Sequence, residues 1–526
     1  MGKKAVLFLL IILAIAAFFR LWKLNSIPPG LYPDIAINGN DALDTLASGN
    51  FKLFYPENNG REGLFMWLIA LSFPFFGASV WSIKIVAASF GILTVLGTYL
   101  LTKELFRLID ENQEKFNLIA LFSSFFLAVS FWHVNFSRIG FRAIMLPFVL
   151  VFSFYFLFKG FRTKKLRNLI ISGIFFGMGF YTYISFRLAV PLLFIVLLLW
   201  LLIYLKDKSL KQYLLLVSCL LATIFIVALP IGIYFLEHPQ DFIGRAAGVS
   251  IFAAPNPVKK LAESLILHLA MFNFWGDQNW RHNFAGAPML LWPVGILFLV
   301  GLFISIKDFI LSLKNKNLNL LLVSFSLLSW FFFLLLPGVL TGEGIPHALR
   351  VIGVIPVVYI FVGLGAYFLY RQLKKVIKNT KLLIIITLLF LVAVGYLEFN
   401  KYFIKWANHP EVKDAFSANY VEIAEYLNSL PGEIQKYVIV NQSGVPVPWP
   451  NGIPMPSQTI MFLERAKYGQ IRSTYLLPQD LNKIKLGETA TVILPLSYEQ
   501  GLLDSLKIIF PQGQIKEINE VWFYQI

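Results

Sequence analysis

Charged residues are scarce in this 526-residue chain: only 14% are Asp, Glu, Lys or Arg. Soluble domains carry about a quarter, so a water-facing surface over the whole chain is excluded. Cysteine is scarcer still. The single Cys219 lies in an apolar segment, which rules out a disulfide framework or a cysteine metal site. Internal repeats and low-complexity tracts are also absent. In their place stand apolar runs, with 57% hydrophobic residues and a mean hydropathy of +0.69. A bilayer-crossing helix needs about 20 such residues, so the chain reads as a polytopic membrane protein.

The net charge of +16 invites a nucleic-acid partner, but its distribution argues against one. Residues 1–400 hold 34 basic and 17 acidic side chains, whereas residues 401–526 hold 11 and 12. The excess sits in short loops between apolar runs, where the positive-inside bias places it.

Eleven spans are expected, near residues 5–22, 81–102, 117–133, 142–159, 168–185, 188–205, 213–236, 288–306, 318–336, 348–370 and 382–399. The opening run could be a secretory signal, but cleavage after Ala14-Ile15-Ala16 would cut into it, so a retained first helix is expected. Gly63–Phe76 is too short to cross. If it does not cross, the cytoplasmic ends collect 21 Lys/Arg against six acids, as the bias requires. It is therefore expected to be interfacial or re-entrant. The fold class is mainly α: a transmembrane helix bundle over residues 1–400, then a small extracytoplasmic α/β domain over residues 401–526. In that tail Val421–Leu430 has a helical pattern, while Tyr437–Val440, Thr491–Leu494 and Val521–Gln525 look like strands. The N-terminus is expected in the cytoplasm of a cell whose inner membrane holds the chain.

The loop Leu31–Leu64 between the first spans concentrates Asp34, Asp41, Asp44, Glu57 and Glu62, five of the 29 acids. Asp34, Asn38, Asp41 and Thr45 recur at helical spacing, giving an amphipathic helix with a polar stripe open to water or ligand. An N-cap role for Asp34 and a solvated face for Asp41 are the simpler alternatives. Glu62 opens the next helix, where the dipole favours a carboxylate. Two carboxylates on one pocket suit proton abstraction from a hydroxyl, or metal binding.

Arginines at the outer ends of spans run against the charge bias. They are Arg138 and Arg142 in NFSRIGFR, Arg187 in YTYISFRL, Arg281 in GDQNWRHN and Arg350 in GIPHALRVIG. Paired N–H donors fit them to a phosphate such as that of a lipid. Snorkelling toward head groups is the simpler explanation for any one of them. Asp277, His282 and His347 share these motifs and are candidates for a divalent metal, though no ligand spacing compels one. His133 and His268 read as ordinary interface residues.

In order, YPD, GREGLF, SRIGFR, GDQNWRHN and PHALR resemble motifs of the GT-C superfamily of membrane glycosyltransferases. The closest branch holds the protein mannosyltransferases and lipid A aminoarabinose transferases. The resemblance covers roughly residues 1–400. It implies a sugar donor on a polyprenyl monophosphate, an inverting transfer, and a lipid, glycan or protein acceptor. It further implies that Asp34 is the general base and that Glu62 supports the acceptor or the base. Tyr32, Asn38 and Asp41 join the site candidates. Many relatives carry Asp-Glu at the first acid. Here Ile35 follows Asp34, which removes any contact the adjacent Glu would make. No cofactor is required, and a divalent metal is permitted. The rival class is a transporter or flippase of lipid-linked sugars. It would show internal pseudo-symmetry and ionisable groups at mid-span, and the sequence shows neither.

Overall fold

A computed structural model describes residues 3–447, 452–486, 488, 490–518 and 521–526. Each of the eleven apolar runs forms a helix. Among the described residues nine helices are long and apolar enough to cross a bilayer. Two of the expected spans take another form. The run near 117–133 becomes Gln113–Val129 and Phe131–Arg138, bent by 56° at Ser130. There Ser130 leaves helical geometry and its hydroxyl accepts from the His133 amide at 3.4 Å. The run near 168–185 yields only Leu166–Gly179, 14 residues or about 21 Å. Leu64–Phe76 has 13 residues, in keeping with a segment too short to span the ~30 Å core.

The chain divides into two compact units: Met1–Leu24 with Ala87–Asn408, and Asn25–Val86 with His409–Ile526. A single cut at residue 400 therefore misplaces the first inter-span loop, which groups with the tail.

The first unit is a helix bundle. Its tightest crossing joins Trp292–Lys314 to Ile355–Val376. A Cβ at Gly301 would overlap the Phe361 carbonyl oxygen, and one at Gly365 the Leu297 carbonyl oxygen. Close backbone approach through small residues is how membrane helices gain packing energy without a hydrophobic driving force.

The second unit is built around a five-stranded sheet of order β4-β3-β5-β7-β6. Here β3 is Gln435–Ile439, β4 Thr474–Leu476, β5 Thr491–Pro495, β6 Gln514–Ile518 and β7 Val521–Gln525. The first three are parallel, and β7 runs antiparallel to β5 and β6. Side chains alternate between two cores. Val438, Val492 and Phe523 pack with Ile423, Leu427 and Ile460, whereas Ile439, Ile493 and Tyr524 pack with Leu503 and Leu506.

The helix Pro33–Ser48 belongs to this same unit. It packs on Leu64–Phe76 and on Gln458–Tyr468. Gly39 admits the Phe462 ring, and Asn40 Nδ2 donates to Gln458 Oε1 at 2.9 Å. Thr459 Oγ1 donates to the Leu31 carbonyl at 2.8 Å, and Arg465 pairs with Asp44 at 2.5 Å. The expectation of a helix resting on the membrane with a free polar stripe is thus corrected. Protein covers it on two sides.

Candidate active site

Pro33 opens the loop helix with its fixed φ, and Asp34 lies in the first turn. Tyr32 occupies the N-cap and makes no side-chain cap bond, so Asp34 is not the capping residue. Its carboxylate is half-buried, and Oδ1 accepts from Asn58 Nδ2 at 2.9 Å. Asn58 sits at the tip of a hairpin between β1, Phe54–Tyr55, and β2, Arg61–Glu62. Positive φ at Asn58, Asn59 and Gly60 makes the turn, with Asn among the few L-residues that tolerate this region.

The hairpin delivers Arg61 beneath the loop helix. Arg61 is 1% exposed. Its Nη1 donates to Asn38 Oδ1 at 2.9 Å and to Asp41 Oδ2 at 2.5 Å, and its Nε donates to the Glu57 carbonyl at 3.2 Å. Tyr55 lies under the guanidinium and shares a 2.8 Å hydrogen bond with Thr45 Oγ1. Burial pushes the Tyr55 hydroxyl up to about 12. Burial also pushes the Asp41 carboxyl up, while Arg61 pulls it back down. Arg61 thus ties Asn38 and Asp41 together on one face of the loop helix. Asp34 is left as the carboxylate at the helix start. Glu62 is corrected in a different way: it is buried in β2, and the next helix begins two residues later at Leu64.

In the first unit the five arginines have distinct surroundings. Arg138 is fully buried and donates to the carbonyls of Phe19, Trp22 and Lys23 at 2.8–3.2 Å. It satisfies the end of the opening helix, whose last carbonyls lack intrahelical partners. Arg187 donates to the Phe242 carbonyl at 2.6 Å and lies 3.7 Å over the Phe242 ring. Arg142 opens a short 3-10 turn and sits over Tyr183 at 5.5 Å. The Arg281 carbonyl accepts from Asn135 Nδ2 at 2.7 Å. Arg350 pairs with the exposed Glu343 at 3.1 Å, and its carbonyl accepts from Ser185 Oγ at 3.0 Å.

Asp277, His282 and His347 do come together. One ligand atom from each lies within 4.8 Å of the others. Asp277 Oδ2 meets His282 Nδ1 at 2.9 Å and accepts from the Ala348 amide at 2.7 Å. The imidazoles of His282 and His347 have centroids 4.9 Å apart. His268, read as an ordinary residue, supports this corner: its Nε2 accepts from the His347 amide at 3.1 Å, and Nδ1 meets the Ser264 carbonyl at 2.8 Å. Burial lowers the pKa of His268 and, more strongly, that of His347.

Sequence reasoning missed Arg61, Asn58 and Tyr55. The Asn58-Asn59-Gly60 run was the available signal, because that composition favours a hairpin turn that would fold Arg61 back on the helix.

Comparison with known proteins follows the same lines. Residues 64–234 match the family model described as dolichyl-phosphate-mannose-protein mannosyltransferase. No curated protein sequence matches the chain. Among solved structures, ArnT from Cupriavidus metallidurans bound to undecaprenyl phosphate is similar at 12% identity and TM-score 0.56. The match covers 100% of this chain and 98% of that one. The archaeal oligosaccharyltransferase AglB from Archaeoglobus fulgidus, in complex with an inhibitory peptide and a dolichol-phosphate, is similar at 15% identity and TM-score 0.52. That match covers 94% of this chain and 69% of AglB. At these identities the likeness is one of fold, and it extends over nearly the whole sequence. The chain is thus a multi-pass membrane protein with the GT-C glycosyltransferase fold that its motifs resemble.

Proposed function

We propose that this protein is an inverting glycosyltransferase that moves a sugar from a polyprenyl monophosphate to an acceptor hydroxyl at the extracytoplasmic face. The observation that carries the reading is the state of Asp34. It is the one carboxylate of the loop helix that is both half-open and held by a single neutral donor, Asn58. Asp41 is engaged by Arg61, and Asp44 by Arg465. A carboxylate so placed can take a proton from an incoming hydroxyl. The acceptor oxygen then attacks the anomeric carbon from the face opposite the donor phosphate. The bond from that carbon to the phosphate oxygen breaks, and polyprenyl phosphate leaves with the electron pair.

Arg142, Arg281 and Arg350 are the guanidinium groups suited to the developing phosphate charge. Glu62 would support the acceptor or Asp34. Asn58 is a positioning residue that aims the Asp34 carboxylate. The likeness to an ArnT bound to undecaprenyl phosphate and to an AglB bound to a dolichol-phosphate supports a polyprenyl donor. The acceptor is a protein, lipid or glycan hydroxyl.

The test is an assay of Asp34→Asn with polyprenyl-phosphate sugar in membranes. Turnover should fall by about 10²–10⁴-fold while donor binding persists. Unchanged movement of sugar in this variant would instead support a transporter.

A further inference from the structure

We propose that the π-helical turn Asn400–Trp406 positions the loop that carries Arg281, through Lys401, Tyr402 and Trp406. This role deepens the transferase reading and rests on it for the ligand of Arg281, the donor phosphate. All of the residues involved lie in the first unit.

The turn continues the apolar helix Thr380–Phe399. The Ala407 amide donates to the Tyr402 carbonyl at 3.0 Å, five residues back rather than four. Such wide turns are rare and frequently sit at functional sites. Their effect here is one of register. Lys401 and Trp406 would stand ~140° apart on an α-helix. Five residues apart, they are neighbours across an i→i+5 turn and reach the same loop.

That loop joins helices Pro257–Ala270 and Trp292–Lys314. Trp406 Nε1 donates to the Trp280 carbonyl at 3.0 Å, and Lys401 Nζ to the Pro288 carbonyl at 3.3 Å. Between them the Arg281 carbonyl accepts from Asn135 Nδ2 at 2.7 Å. Asn135 is aimed in turn by the Tyr402 hydroxyl, which donates to its Oδ1 at 3.4 Å. The rings of Tyr402 and Trp406 stack at 4.8 Å with Phe131 edge-on to both, and the Lys401 ammonium lies 4.9 Å over Phe131. Asn135, Tyr402 and Trp406 are fully buried, so their hydrogen bonds act in a low-dielectric setting and are stronger than in water.

Loop closure alone does not call for this arrangement. The loop is already knotted internally, by Gly286 N to the Asp277 carbonyl at 3.0 Å and Arg281 N to Asn279 Oδ1 at 2.9 Å. The added bonds bracket Arg281 on both sides and fix its main chain relative to the bundle. A phosphate-binding guanidinium needs such support, because a displacement of ~1 Å can cost ~10²-fold in rate. Lys401, Tyr402 and Trp406 are thus positioning residues that act through Arg281.

The experiment uses the full chain in detergent. Trp406→Phe and Lys401→Met each delete one donor and keep the bulk, whereas Lys401→Arg keeps a donor. Hydrogen–deuterium exchange over residues 279–288 is read first, since it needs no sugar donor. Exchange there should quicken at least severalfold in Trp406→Phe and Lys401→Met and stay near wild type in Lys401→Arg. Transfer from a polyprenyl-phosphate sugar is read second. Loss of one hydrogen bond should lower kcat about two- to tenfold, with the donor KM little changed. In an Arg281→Ala background the same substitutions should lower kcat no further. Unaltered exchange in folded Trp406→Phe and Lys401→Met overturns the positioning role, whatever the reaction. Additive losses in the Arg281→Ala background overturn it too, by revealing a merely structural effect. Quickened exchange together with full transfer by Arg281→Ala supports the hold on the loop and refutes instead the phosphate reading of Arg281.

Discussion

Arg61 determines how the loop helix is held, and it does so as a fully buried cation. Its partner Asp41 is 17% exposed, so neither charge is well solvated. Removing one member of such a pair leaves the other uncompensated, at a cost of about 3–5 kcal/mol. Arg61→Leu should therefore lower the thermal unfolding midpoint strongly, whereas Arg61→Leu with Asp41→Leu should recover much of the loss. Equal destabilisation by the single and double variants would show that the pair is not the source. Asn58 offers a gentler probe. Asn58→Gly keeps the positive φ and deletes only the donor to Asp34. A hydrogen bond to a charged group contributes about 1.5–3 kcal/mol, so kcat should drop by up to about 10- to 150-fold with KM for the donor little changed. A rise in KM alone would place Asn58 in ground-state binding instead.

Helices were the most legible elements, because long apolar runs admit little else in a bilayer. Every expected span carries one. The break at Ser130 was not legible. The run around LAVSFWHVN holds no proline or glycine to mark the bend, and the group that accepts from the Phe131 amide, Glu398 Oε2 at 3.1 Å, comes from 267 residues away. The contacts of Arg138 were hidden for a related reason: they are carbonyls at the end of the opening helix and just beyond it, 115–119 residues earlier. The place of Asp34 in the first turn of a helix was legible from local signals, a proline followed by an acid. The glycine-mediated crossing makes a clear prediction at this scale. Gly301→Ala forces a methyl into the Phe361 carbonyl and should cost about 1–3 kcal/mol or more, read as a lower midpoint and poorer yield. Gly395→Ala is the control, since its nearest neighbour would be Val129 Cγ1 at 3.9 Å. Helix propensity makes that change neutral or favourable by up to ~1 kcal/mol.

For the whole molecule, the tail is part of the unit that contains Asp34, and not an appendage to the bundle. Phe462 fills the space at Gly39, Gln458 pairs with Asn40, and Phe416 lies against Gly30. Ending the chain after Asn408 should therefore abolish sugar transfer while the bundle still inserts, as read by membrane fractionation and the donor assay. Full activity in that truncated chain would contradict this division. A tail folding as a separate module was the simpler reading of the sequence, because contacts more than 400 residues apart leave no local pattern.

The discontinuity also sets an order of events during synthesis. Ser48 leaves the ribosome about 400 residues ahead of Phe462, which at ~5–20 residues per second is a delay of ~20–80 s. Through that interval Ile37, Gly39 and Asn40 of the nascent loop helix wait without Met455, Phe462 and Gln458. The surroundings of Asp34 are thus completed only when translation is nearly over, so chains released early carry the membrane-embedded helices without the finished second unit.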